Sequence, residues 1–287
     1  MIKRDVPLSN DQVDKHGDRM TLGDLKDARD QTNSKVMISH NQHDFRSPPI
    51  GRIEKAYIRN IDGINWLLGE FRLFTMDDIN HENRLRGREL AIYDLKEGTV
   101  SIICDRSYVI NNLVQDAEQL QQAFDSSQEI KYENKKSFEP ISTLTVLVGM
   151  GATFAISQFF GGLFSEAGKD SWGLLKKIIK KNQSIKHNEE KQYQFIFNFM
   201  NDYYKTELML IFTDPDPDNF EKIIKANQDK IEQKIISYYE QSIRVKRIVY
   251  THDKGELNHA YSVYRCGTPF DISNISEFQK LLESKAK

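Results

Sequence analysis

A serine hydroxyl is a weak nucleophile until a neighbouring imidazole takes its proton, and the chain has residue types that could make such a pair. One segment runs Ser39-His40-Asn41-Gln42-His43-Asp44-Phe45-Arg46-Ser47-Pro48-Pro49-Ile50-Gly51. His40 ends a short strand signal, Val36 to Ser39, and His43 precedes Asp44 in a polar loop that re-enters a strand at Arg52. Ser101 lies in Val100-Ser101-Ile102-Ile103-Cys104, a run whose branched side chains favour a strand, behind a turn at Gly98. Strand-borne groups have fixed geometry, so Ser101 as nucleophile with His40 or His43 as base is chemically coherent. The spacing leaves both histidines open and names no third member; His81 and Glu82 sit in a polar stretch nearby. The plain reading of the same residues is two loop histidines and a strand serine.

The His-loop-Pro-Ile-Gly pattern, the upstream Thr21-Leu22-Gly23-Asp24-Leu25 and the later Ser101 strand together resemble phage prohead maturation proteases. That family shares its fold with the herpesvirus assemblins. The resemblance spans about residues 20–125 and implies a barrel-like domain, serine peptidase activity on a peptide substrate, and the roles above for Ser101, His40 and His43. The chain departs from the pattern where Ile103-Cys104 replaces the Gly-Phe that follows the family's serine, and in a longer histidine loop.

Other motifs carry less. Asp214-Pro215-Asp216-Pro217-Asp218 alternates acids as a calcium loop does, but its prolines and Lys225 at the twelfth position break that pattern. Asp218 reads as a helix cap instead. Gly149-Met150-Gly151 and Gly161-Gly162 lack a strand-to-helix context, so neither reads as a nucleotide loop. No residue set has metal-ligand spacing, and no cofactor is implied.

The elements that would position these groups fall into three regions of an α+β chain. Residues 1–138 read as a β-rich, barrel-like domain, with strands near 36–39, 52–61, 66–74, 89–93 and 100–104 and a helix over 111–124. Asp62-Gly63 is a hairpin turn. Residues 192–287 read as ββαββ, a small sheet with one long helix over 218–241 whose apolar side carries Phe220, Ile223, Ile224, Ile231, Ile235 and Tyr238.

Between them, residues 139–191 open with an uncharged, glycine-containing run from Pro140 to Ser165. About 20 apolar residues suffice to cross a bilayer, so the run predicts a helix that inserts in or lies on a membrane, packs on a partner helix or joins two copies of the chain, or else a glycine-rich helix buried between the two domains. Leu144, Gly149, Gly151, Ala155, Phe159 and Phe160 would form that segment. The following Trp172, Lys176, Lys177, Lys180 and Lys181 have the composition of an interfacial helix touching lipid headgroups.

Composition bounds the rest. With 40 Lys+Arg against 42 Asp+Glu, a net charge of −2 excludes a chain that works by global attraction to nucleic acid, and no nucleic-acid partner is expected. Cys104 and Cys266 are the only cysteines, with no second thiol near either in sequence, which excludes a disulfide scaffold or a clustered cysteine–zinc site and suits a reducing compartment. The charged N-terminus has no apolar signal region, so the expectation is a protein that is not secreted, with cytoplasmic domains on a membrane. The function expected from sequence is therefore a membrane-associated protein with a protease-fold sensor or assembly module, suited to an effector in conflict with phage. The alternative is a serine peptidase of the prohead-protease type.

Overall fold

A computed structural model describes residues 3–13, 19–80, 88–93, 95–105, 113–124, 130–133, 144–150, 156–166, 168–185, 190–200, 205–253 and 255–286. The fold class is α+β and includes a curled, half-barrel sheet. The described residues form two compact units. One holds those up to Ile92 and those from Tyr261 on, and the other those from Tyr93 to Ala260.

The first unit is built on an antiparallel sheet of β1 (Lys3–Asn10), β2 (Met37–His40), β3 (Pro49–Ile61) and β4 (Ile64–Leu73), in the order β1-β4-β3-β2. The turn between β3 and β4 is left-handed at both central residues, Asp62 (φ 52°) and Gly63 (φ 83°), which is why Asp-Gly stands there. Helix α1 (Leu22–Ser34) starts at a capping box: the Asp24 amide donates to Thr21 Oγ1 (3.1 Å), and the Thr21 amide to Asp24 Oδ2 (2.7 Å). The helix drives Leu25 into the sheet against Ala56 and Leu67. Asn33, near its end, exchanges two hydrogen bonds with the Ala56 backbone beside the register shift in β3.

Strand β1 escapes a sequence reading because its outer edge is guarded by Lys3, Arg4, Asp5 and Pro7, residues that mask a strand signal while discouraging further pairing. After the short helix α2 (Met76–Asn80), the unit is completed by β12 (Pro269–Phe270) and α7 (Ile275–Ala286). Phe278 and Leu282 of α7 pack with Ile50, Leu73 and Ile79.

The second unit contains β5 (Val100–Asp105), α3 (Val114–Ala123), β6 (Lys131–Glu133), β7 (Leu144–Gly149), α4 (Ile156–Phe164), α5 (Lys169–Ser184), β8 (Gln192–Met200), β9 (Lys205–Thr213), α6 (Phe220–Glu240), β10 (Val245–Asp253) and most of β11 (Glu256–Tyr264). Its strands lie in the order β11-β10-β9-β8-β7-β5-β6. The parallel pairs β5–β6, β7–β8 and β9–β10 are each joined through helices. Phe195 and Phe197 of β8 meet Phe160 of α4, and Phe212 of β9 meets Phe220 of α6. The strands after residue 192 therefore do not close a small sheet of their own; they continue the one that holds β7 and β5.

This arrangement corrects the membrane reading. The uncharged run is a strand and a helix, not one long helix. Leu144 and Gly149 lie in β7, which is buried along its whole length between β5 and β8. A central strand covered on both faces needs no alternation and no charge. Phe159 and Phe160 lie in the nine-residue α4, against Phe197; Gly151 and Ala155 lie outside the described residues. Among the described residues no helix is long and apolar enough to cross a membrane.

The basic helix is likewise anchored to protein. Trp172 is buried against Phe164 and Phe220 rather than presented outward. Lys177 and Lys181 both reach Asp116 of α3 (2.9 and 2.6 Å), Lys180 pairs with Asp218 (2.7 Å), and the Lys176 ammonium lies over the Trp172 ring. Burial acts to raise the Asp116 carboxyl, but the hydrogen bonds from Lys181 and Lys177 outweigh it and hold the group below its ordinary value.

Candidate functional site

The residues proposed from sequence to do chemistry fall in separate units. Ser101 lies on β5 of the second unit, 3% exposed, with Leu147 as its cross-strand neighbour. His40 ends β2 in the first unit, opposite Pro49, and is 4% exposed. Its Nδ1 lies 2.8 Å from the Ser47 carbonyl oxygen, which can only accept, so Nδ1 carries the proton and donates. The ring packs edge-on against Phe45, whose carbonyl accepts from the Tyr261 hydroxyl (2.8 Å). His43 closes a short 3-10 turn, Asn41–His43, in which Gln42 adopts a left-handed backbone (φ 50°). His81 and Glu82 lie outside the described residues. Cys104 is buried, and desolvation pushes its thiol far above the ordinary value, so it is no nucleophile.

The second unit has a denser concentration of polar groups at the end of the sheet where β7 terminates. Register places Gly149, Asn198, Glu207 and Arg247 in one row across β7, β8, β9 and β10. Glu207 is fully buried and accepts from Arg247 Nε at 2.7 Å through one oxygen and from the Tyr93 amide at 2.8 Å through the other. Asn198 donates from Nδ2 to the Tyr93 carbonyl. It is 4% exposed, and its Oδ1 has no partner among the described residues. A buried acceptor left this way costs about 1–3 kcal/mol unless something fills it.

Gly149 ends β7 tightly. Its amide donates to the Thr99 carbonyl (2.8 Å), its carbonyl accepts from the Gly98 amide (2.9 Å), and a Cβ there would run into the Lys96 carbonyl oxygen. The Met150 amide donates to the Asn198 carbonyl (2.7 Å). From there the chain passes through Gly151-Ala152-Thr153-Phe154-Ala155 to α4. Gly149-Met150-Gly151 thus does stand between a strand and a helix, in a parallel crossover to β8. The sequence reading rejected a nucleotide loop for want of that context, because β7 is hidden inside a run that also fits a helix. The first turn of α4 already holds one carboxylate: the Ser157 amide donates to Glu232 Oε1 of α6 at 3.2 Å.

At the opposite end of the same sheet, His252 of β10 stacks on Phe212 (5.6 Å), with Nε2 buried and without a partner among the described residues. Burial lowers its basicity, opposed by the neighbouring Asp253. The folded state then resists a proton that the unfolded chain accepts near pH 6.5. Stability contributed here is complete above that pH and is lost as pH falls toward the lower folded value. Denaturant midpoints measured from pH 7.5 to 5 should fall, and His252→Phe should flatten the profile. An unchanged profile in the variant would place the acid sensitivity elsewhere.

Among the described residues no group of three His, Cys, Asp or Glu side chains could hold a metal ion. Neither functional reading made from sequence stands: the absence of a crossing helix among the described residues removes the membrane-coupled effector, and no family evidence supports a peptidase. Compared with known proteins, the chain matches no family model, no curated protein and no solved structure.

Proposed function

We propose that the second unit binds a phosphate-bearing small molecule of nucleotide type at the turn between β7 and α4. The observation that carries the reading is the crossover itself. A buried strand, parallel to β8, runs into Gly149-Met150-Gly151 and then into a helix, an order in which a helix N-terminus can receive phosphate, the Gly149 and Met150 amides being engaged by Thr99 and Asn198. The third glycine of the dinucleotide fingerprint is absent, Phe154 standing in its place, so a single phosphate or diphosphate group fits better than a full dinucleotide signature.

The test is thermal unfolding of the full chain with ADP, ATP and inorganic pyrophosphate. A ligand at a hundred times its dissociation constant stabilises the folded state by about 2.7 kcal/mol, a shift of several degrees. Gly151→Asp, which adds a negative charge to the segment between β7 and α4, should abolish the shift. No shift with any of the three at millimolar concentration would sink the proposal.

A further inference from the structure

We infer that the segment from Tyr93 to Gly98 is a lid over the buried row of Gly149, Asn198, Glu207 and Arg247, latched by two of its side chains and able to open while the second unit stays folded. The latch holds one residue by its backbone. Glu207 accepts from the Tyr93 amide at 2.8 Å, and Asn198 Nδ2 donates to the Tyr93 carbonyl. Both partners are side chains of the sheet, so parting them breaks no rung of a strand ladder. Lid, latch and row all belong to the second unit.

The two sides of the latch differ in kind. The row is buried, whereas Tyr93, Lys96, Glu97 and Gly98 are exposed and Leu95 is half-buried. A segment that buries no whole side chain has little apolar contact to lose, which marks a part that opens below the energy of global unfolding. Further along, the Lys96 carbonyl fills the place of a side chain at Gly149, where an added Cβ would run into it. That carbonyl already accepts from the Thr99 amide (3.2 Å) and hydroxyl (2.6 Å) within its own turn, so lifting it strands no acceptor. The left-handed Gly98 (φ 74°), whose amide donates to the Gly149 carbonyl, is the hinge. Underneath, Asn198 Oδ1 has no partner among the described residues. Water entering on opening supplies one and offsets part of the lost latch.

The test is hydrogen exchange of the full chain, read at the Tyr93 amide and at the ladder amides of β8 and β9. The Tyr93 amide should exchange at least about tenfold faster than the ladder amides, because it needs only the lid to open. Asn198→Leu removes half of the latch. It should speed Tyr93 exchange by about two- to tenfold, the worth of one hydrogen bond, and leave β8 and β9 unchanged. Gly149→Ala pushes on the lid from below and should speed tryptic cleavage after Lys96. Exchange of Tyr93 at the rate of the ladder amides in the parent chain overturns the lid, and that comparison needs no variant to fold. An Asn198→Leu chain in which Tyr93, β8 and β9 all accelerate alike overturns it too, as does a Gly149→Ala chain cut no faster at Lys96.

Discussion

Replacing Glu207 by alanine is expected to destabilise the second unit by about 3–5 kcal/mol, the range for leaving one member of a buried ion pair uncompensated. Glu207 is fully buried, Arg247 side-chain exposure is 7%, and their contact is 2.7 Å. The substitution takes the close carboxylate away from the Arg247 guanidinium in the row it shares with Asn198 and also removes the acceptor of the Tyr93 amide. The measurement can be made unit by unit, because the chain has two tryptophans, Trp66 in the first unit and Trp172 in the second. In a Trp66→Phe background, fluorescence during denaturant unfolding follows the second unit alone. Glu207→Met combined with Arg247→Leu should recover most of the loss, since apolar pairs of similar volume often replace buried ion pairs without penalty. A single-variant loss below about 1 kcal/mol would show that water reaches the pair and that the row is not a sealed part of the fold.

The same row shows what the sequence makes legible. Phe195, Phe197 and Phe212 announce strands through their aromatic and β-branched neighbours, and the long apolar face of α6 is readable from Phe220 to Tyr238. The cap at Thr21 and Asp24 and the Asp62-Gly63 turn follow from local chemistry, which needs no tertiary information. Glu207 and Arg247 are invisible at that stage. They become partners only when β9 and β10, far apart in sequence, are brought into register.

The uncharged run misleads for a related reason. Leu144 to Gly149 lacks charges because sheet neighbours flank it on both sides, and that composition cannot be told from a membrane helix by hydropathy alone. The helix start at Ile156 is what separates the two, and the residue before it in sequence, Ala155, is not of a type that favours a helix N-cap. The proposed phosphate-binding turn is hidden by the same ambiguity: a Gly-x-Gly spacing acquires meaning only after the strand before it is established. His40 and Ser101 illustrate the converse. Their types and local settings are legible, yet the chain places them in different compact units.

In the first unit the largest expected effect belongs to Asp78. Arg52 and Arg72 stand directly opposite one another on β3 and β4, and both are buried. Two like charges facing each other across a sheet repel unless acids intervene. Glu54 bonds Arg52 Nε at 2.8 Å and lies 3.7 Å from Arg72 Nη1; Arg52 also donates to the Cys266 carbonyl (3.1 Å). Asp78 supplies the close partner of Arg72, and its other oxygen accepts from the Thr75 amide and hydroxyl, both at 2.9 Å. One carboxylate therefore caps the start of α2 and neutralises the second arginine.

Asp78→Ala removes both functions and leaves two guanidiniums sharing Glu54. The expected loss is about 3–5 kcal/mol, read from Trp66 fluorescence in a Trp172→Phe background. Thr75→Ala, which removes only the hydroxyl partner, should cost about 1 kcal/mol. Asp78→Asn divides the remainder: the amide oxygen can still accept from Thr75 while the charge is gone. If the asparagine variant is as unstable as the alanine variant, the charge facing Arg72 is the dominant contribution. If it matches Thr75→Ala instead, the two arginines are neutralised by Glu54 alone, and Asp78 acts only as a cap.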